Sequence, residues 1–467
     1  MAQVMISGLR KSSGKTTVSL GLCAALSRRG HVVQPFKKGP DYIDPMWLAE
    51  AAGRPCYNLD FHTMTRRELT ASFARHSRGS DIAVIEGNKG LHDGLALQGE
   101  DSNAALAGIL GAPVVLVVDA EGTTRGIAPL ILGCQAFAPD VPIAGVILNN
   151  VGGSRHEAKL RAAIGYYTPV PVIGAIPRDP ALAITERHLG LIPTREDGKA
   201  KNTIERIADV VSRTVDLDRL MAIAESAPSP SAWALDADSA ARRSDVRIAI
   251  ARDAAFGFYY APDIEGLAAA GAELIEFDTL TDPHLPAVDG VLIGGGFPET
   301  HLEALAANNS LRSELRAAIE QGLPVYAECG GLMYLSRSLS WNGRHAEMVG
   351  AIPADTIMYQ RPVGHGYVRL RETGASPWPG PRAANLVAHE FHYSALTGID
   401  HGVDYAYEVL RGTGIDGCHD GLVYRNVLAS YSHLRDSETN RWTERFVAFV
   451  RKHKSSQGAP LRLAAGA

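Results

Sequence analysis

Residues 4–17, VMISGLRKSSGKTT, decide how the chain is read. An apolar run, Val4–Ser7, leads into a loop bounded by Gly8 and Gly14, and Lys15-Thr16-Thr17 opens a segment with helical apolar spacing. Strand, glycine-bounded loop and helix N-terminus, in that order, aim backbone N–H groups at phosphate oxygens. Lys15 is then placed to neutralise the β- and γ-phosphates, and the Thr16 hydroxyl to ligate Mg²⁺. Five residues, Leu9 to Ser13, separate the two glycines, one more than in the common phosphate loop. A Gly-Ser-rich turn capping a helix is the plain alternative. The strand before it and the amphipathic helix after it favour the nucleotide.

Outward from this loop, short apolar runs alternate with helical stretches. Val32–Phe36, Ile82–Glu86, Val114–Asp119, Ala144–Asn149 and Val172–Ile176 have the composition of buried strands, and Thr16–Arg29 and Ser102–Leu110 that of helices. Such alternation predicts a doubly wound parallel sheet. From Ser226 to Ser244 the composition turns to Pro, Ser, Ala and Asp without period, which predicts a linker. The alternation then resumes in Arg247–Ala251, Glu273–Phe277, Gly290–Gly294 and Pro324–Glu328. Gly366–Leu370, Val387–His392 and Tyr405–Leu410 follow as antiparallel additions. Val427–Tyr431 precedes a helix expected near Glu438, and a frayed tail is expected from Ser455. The expected domains are thus 1–225 and 245–454, joined by 226–244 and followed by 455–467.

Other residues near strand ends extend the first site. FKKGPDYIDP sets Lys37, Lys38, Asp41, Tyr42 and Asp44 at the end of the second strand, the edge where ligands bind in this architecture. Glu86 closes an apolar strand in an acid, as a Mg²⁺ ligand requires. Asn149 ends AGVILN, where its amide can read an adenine edge or simply form a turn.

The second half carries a different signature. LPVYAECGGLMYL, 323–335, runs from an apolar strand through Cys329 into two glycines and a helical run. A strand–nucleophile–helix turn exposes the side chain, and small neighbours admit backbone N–H groups to a developing oxyanion. Cys23, Cys56, Cys134 and Cys418 lack that setting. A thiol needs a base. His433 ends the strand VLASYSH, with His389 and His392 as competitors in AHEFHYS. The glycines of IGGGFPE, Gly295 and Gly296, with Gly330 beside the thiol, are the expected oxyanion and glutamine site.

Composition narrows the classes. Basic residues number 46 and acidic 51, a net charge of −5 that gives no support for nucleic-acid or anionic-membrane binding. Glycine, 47 of 467 residues, exceeds the usual ~7%, as close backbone approaches to ligands require. Five scattered cysteines argue against a disulfide frame or zinc site. No apolar stretch approaches a membrane span, and the first residues lack a secretory segment, so a cytoplasmic protein is expected.

Together the motifs resemble the cobyrinic acid a,c-diamide synthase family, which joins a dethiobiotin-synthetase-like ATPase domain to a class I glutamine amidotransferase domain with a flavodoxin-like mixed sheet. The resemblance runs through KKGPDYIDP, VIEG (84–87), GLHDG (90–94), VVDAEG (117–122), GVILNNVGGSRH (145–156), GGGFPE (294–299), AECGG (327–331) and HEFHYS (389–394). The five-residue loop spacing is also that of dethiobiotin-synthetase-like loops. The resemblance implies a ligase of cobalamin biosynthesis that uses glutamine as nitrogen donor. A thioester would form on Cys329 with His433 as base and then acid. ATP–Mg²⁺ would phosphorylate an acetate carboxylate, and ammonia would displace the phosphate.

On this resemblance Gly8, Gly14, Lys15, Thr16, Thr17 and Asn149 hold ATP, and Thr16, Asp41 and Glu86 hold Mg²⁺. Lys38, Tyr42, Asp44 and Asp93 touch the substrate. The implied partners are glutamine, ATP and a polycarboxylated tetrapyrrole, with a homodimer allowed and no nucleic acid or membrane. Two departures stand out. Arg435 occupies the place, two after the histidine, where many class I amidotransferases have Glu. Asn88-Lys89 stands where cobyrinate enzymes commonly have a small apolar residue and Met, which admits a sirohydrochlorin or sirohaem acceptor. The competing readings are a cobyric acid synthase-like series of amidations and a partitioning-type ATPase switch, whose signature lysine would sit where Arg10 stands.

Overall fold

Seven strands of the first half pair in parallel, because each is apolar enough to be covered on both faces. They are β1 (Ala2–Gly8), β2 (Val33–Lys38), β3 (Tyr57–Leu59), β4 (Ile82–Glu86), β5 (Val114–Asp119), β6 (Ile143–Val151) and β7 (Val172–Pro177). Their order across the sheet is β3-β2-β4-β1-β5-β6-β7. The chain leaves β1 toward one edge and later crosses to the other, so the end of β1 is the switch point where a crevice opens. Helix α1 (Lys15–Arg28) begins there and buries Val18, Leu20, Leu22 and Leu26. The structure, a computed structural model, describes residues 1–187, 190–228 and 242–457. The chain divides into two compact units, Met1–Ala237 and Asp238–Ala467. Most of the expected linker, 229–241, lies outside the described residues.

The second unit is built on a nine-stranded mixed sheet. Five parallel strands run in the order Ala272–Phe277, Val246–Ala251, Gly290–Ile293, Val325–Glu328, Val427–Ser430. Numbered along the chain this is 2-1-3-4-5, the flavodoxin-like order. Four antiparallel strands, His419–Tyr424, Asp404–Arg411, Gly364–Glu372 and Leu386–His392, extend the sheet. A separate four-stranded sheet orders Arg344–Glu347, Ser338–Trp341, Asp355–Met358 and Ser394–Thr397. The turn between its first two strands places Asn342 and Gly343 at φ 50° and 75°, as a tight hairpin requires.

Two boundaries differ from expectation. The C-terminal helix spans Trp442–Gln457 rather than starting near Glu438. Ser437 and Asn440 exchange backbone hydrogen bonds of 3.0 Å, and that turn delays the helix. The helix also continues through Ser455, whose hydroxyl donates to the Arg451 carbonyl at 3.0 Å, and the rest of the expected tail, 458–467, lies outside the described residues. No helix among the described residues is long and apolar enough to cross a membrane.

Candidate active site

In the first unit the loop 8–14 closes on itself. The Ser13 hydroxyl donates to the Arg10 carbonyl at 2.9 Å, and Lys15 Nζ donates to the same oxygen at 3.3 Å. Gly14 has φ 90°, and a Cβ there would fall 2.1 Å from Asn149 Nδ2. That amide donates to the Ser13 carbonyl at 3.1 Å, so Asn149 braces the loop from β6. Thr17 lies in the first turn of α1, and Gly8 ends β1. Burial lowers the pKa of Lys15, while Glu86 opposes that shift.

Behind the loop lies a buried charged cluster. Thr16 Oγ1 donates to Glu86 Oε1 at 2.7 Å, and Lys37 Nζ reaches the same oxygen at 2.9 Å. Lys37 also donates to Asp44 at 2.5 Å. Burial disfavours the charge on Lys37, but Asp44 and Glu86 outweigh it and raise its pKa. Glu86 is shifted upward by desolvation and held back by Lys37. Asp41 accepts the backbone N–H groups of Ile43 and Asp44 at 2.8 and 3.0 Å, starting the helix Ile43–Ala52. Desolvation and the neighbouring Asp44 push it up to about 7.

The remaining predicted contacts are more scattered. Lys38 is buried under the Phe61 ring, and burial lowers its pKa. Tyr42 is half-buried at the start of the same helix. Asp93 is exposed and accepts the Gly90 N–H at 2.8 Å. A residue that sequence reasoning passed over organises this region. Asn103, fully buried, accepts the Asn88 N–H and donates to Ser7 Oγ and the carbonyls of Asn88 and Gly90 at 2.7–3.0 Å. Leu91 N–H in turn bonds the Gly8 carbonyl at 2.7 Å. Loop 87–91 is thereby locked beside the phosphate loop. In sequence Ser102-Asn103 is legible only as a helix start.

In the second unit the strand Val325–Glu328 stops at Cys329, which has φ 46° and ψ −98° and starts the helix Gly330–Leu335. A non-glycine residue there is strained and persists only when neighbours hold it. Cys329 N–H bonds the Ser430 carbonyl at 2.7 Å, and Gly331 N–H bonds the Gly294 carbonyl at 3.1 Å. The packing behind the turn is backbone on backbone: a Cβ at Gly331 would fall 2.2 Å from the Ile293 oxygen, and one at Gly296 1.9 Å from the Ala255 oxygen. A Cβ at Gly330 would meet Gly296 N at 3.0 Å, and one at Gly295 would meet His433 Cε1 at 2.7 Å. The predicted glycines therefore lie close together, Gly296 against Gly330 and Gly295 against the His433 ring. Gly294 N–H is taken by the Tyr259 hydroxyl at 2.9 Å.

The His433 imidazole interacts with Cys329. Burial opposes its charge, but Cys329 and Glu328 outweigh burial and push its pKa up to about 10. Its Nδ1 lies 3.4 Å from Glu328 Oε2. The competing histidines are engaged otherwise. His389 pairs with His433 through the backbone, and His392 stacks on Tyr431 at 3.9 Å with Nδ1 2.7 Å from the Ser394 carbonyl. Arg435 turns its guanidinium over the Tyr260 ring, 5.1 Å away.

An acyl-transfer elbow and a phosphate loop in one chain define a class, the glutamine-dependent carbon–nitrogen ligases, and sequence comparison agrees. Residues 247–440 match the CobB/CobQ-like glutamine amidotransferase domain, and residues 2–185 match an AAA domain. A cobyrinate a,c-diamide synthase of Magnetococcus marinus is 47% identical over 97% of this chain and 98% of its own. One from Methanosarcina acetivorans is 44% identical over 92% of each. Among solved structures, PurLQS from Thermotoga maritima aligns at 15% identity with a TM-score of 0.35, over 44% of this chain and 98% of that one. Within its class the chain belongs to the cobyrinate a,c-diamide synthase family.

Proposed function

We propose that the protein amidates the a and c acetate carboxylates of a tetrapyrrole with ATP and glutamine. The observation that carries this reading is the cysteine elbow at Cys329, with His433 within its reach, in the same chain as the Thr16–Glu86–Lys37 cluster behind a phosphate loop. At the elbow, Cys329 attacks the glutamine carboxamide while its proton passes to His433. The imidazole returns that proton to the departing ammonia, and water then cleaves the thioester. Backbone N–H groups around Gly295, Gly296 and Gly330 face the oxyanion.

In the first unit a carboxylate must be activated, because it is a poor electrophile and a phosphate is a good leaving group. Lys15 and the loop amides hold the β- and γ-phosphates in line with the acceptor carboxylate. Glu86 Oε2 is buried without a hydrogen-bond partner, and with the Thr16 hydroxyl it forms the oxygen donor set a hard divalent cation takes. Thr16, Glu86 and Asp41 would hold Mg²⁺, which when bound would offset phosphate charge. Lys38, Tyr42, Asp44 and Asp93 are assigned to the macrocycle side. Ammonia then displaces phosphate from the acyl phosphate to give the amide.

Cobyrinate is the acceptor favoured by the relatives' names. Exposed Lys89, at φ 49° in the loop fixed by Asn103, keeps sirohydrochlorin or sirohaem open as the acceptor. The test is product mass after incubation with ATP, glutamine and each macrocycle. Two NH₂-for-OH exchanges on one of them are expected, and a longer series would indicate a cobyric acid synthase-like reaction. Cys329→Ala should lose glutamine-driven amidation by about 10³-fold or more and retain the reaction driven by ammonium salt. An alanine variant as active with glutamine as the native protein would overturn the scheme.

A further inference from the structure

Class I amidotransferases are expected to orient the catalytic imidazole with an acid two residues after it, yet that place holds Arg435, turned toward Tyr260. Another carboxylate stands at the imidazole. Glu328 closes the strand Val325–Glu328, in register with Ser430 of the parallel neighbour, and His433 follows that neighbour by three residues. Its side chain is 8% exposed, so its charge needs partners inside the protein. The partners divide between its oxygens. Oε1 accepts the Tyr326 hydroxyl and the Leu434 N–H, the latter at 2.9 Å. Oε2 faces His433 Nδ1 at 3.4 Å.

Resting on the function proposed above, we propose that Glu328, the residue before the nucleophile, is the positioning carboxylate of the elbow. It receives the Nδ1–H of His433 and so presents Nε2 to the Cys329 thiol. Successive residues of an extended strand point to opposite faces. The positive φ of Cys329 breaks that alternation, and residues 328 and 329 both reach one ring. Glu328 is held in turn. Tyr326, on the same face of the strand, is packed by Trp378, Trp442 and Phe446 at centroid distances of 4.8, 5.0 and 6.0 Å. Two other buried acids are engaged by backbone: Asp420 by Gly421, Tyr431 and Ser432, and Glu390 by Thr413 and Gly414.

The experiment compares Glu328→Gln and Glu328→Asp with the native enzyme. In E328Q the glutaminase kcat should fall about 10²-fold or more while the KM for glutamine stays within about threefold, since orientation matters in the transition state. The pH midpoint that His433 imposes on kcat should fall, because its imidazolium loses the counter-charge of Glu328. E328D, which keeps the charge and retracts it by one methylene, should restore the midpoint and recover part of kcat. Native kcat and midpoint in E328Q overturn the proposal. If thermal melting shows that E328Q does not fold, a native kcat in E328D does so instead. Cys329→Ala separates the failures: an inactive alanine variant beside a native-like E328Q removes only the role of Glu328, whereas an active one removes the elbow itself.

Discussion

The two units each place a turn between a parallel strand and a helix, and they solve different problems with it. In the first, the turn is a loop of several residues, with Ser12 and Gly14 at positive φ, followed by a 14-residue helix. Its product is a row of backbone N–H groups and a helix dipole for an anion. In the second, the turn is one residue, Cys329, and the helix has six. Its product is a single side chain held at a fixed angle. The surroundings follow from this difference. Around the loop there are charges, Lys15, Lys37 and Glu86 buried and Asp44 half-buried. Around the cysteine there is glycine main chain, with one imidazole and the Glu328 carboxylate behind that ring.

The sharpest break of this comparison is Lys15→Ala. It should lower ATP-dependent amidation by about 10²–10³-fold with glutamine or ammonium as nitrogen source, because a charge aimed at the transferring phosphoryl group is removed. Glutamine hydrolysis, measured as glutamate release, should continue. A fall in both reactions together would erase the division of labour.

A smaller effect tests how the loop is supported. Asn103→Ala orphans the polar groups of Ser7, Asn88 and Gly90. At about 1–3 kcal/mol for buried unsatisfied groups, and ~2–4 °C per kcal/mol for a unit of this size, the first thermal transition should drop by several degrees. The KM for ATP should rise as loop 87–91 loosens. An unchanged melting curve would show that the phosphate loop, like the elbow, is fixed by backbone alone.

The smallest effect concerns charge. Asp41 has its pKa raised to about 7, so the folded chain binds that proton more tightly than the unfolded chain. The stability it contributes is complete below the ordinary aspartate value and is lost as pH climbs through 7. Asp41→Asn keeps the acceptor for Ile43 and Asp44 and should raise the melting temperature at pH 8 measurably, with little change near pH 4. Equal shifts at both pH values would refute the assignment of that proton.

Both turns were legible in the sequence, since each combines an apolar run, small residues and a helical period within about fifteen positions. The parallel strands were legible for the same reason. Tyr57–Leu59, three residues long, and the sheet built from residues 338–397 were not, because pairing partners distant in sequence define them. His433 could be singled out as the end of an apolar strand. Glu328 carries the mark that singled out Glu86, an acid closing such a strand, but its place beside the cysteine hides it. Asn103 gave no sign, because its four hydrogen bonds are made to residues 13–15 and 96 positions away.

The meeting of main chain behind Cys329 bears on inhibitor design. Where Ala255, Ile293, Gly296 and Gly331 touch, the support behind the nucleophile is peptide rather than side chain, and a larger residue would displace the strand itself. A covalent trap for that thiol would leave a resistant organism few substitutions at this support that preserve a folded enzyme.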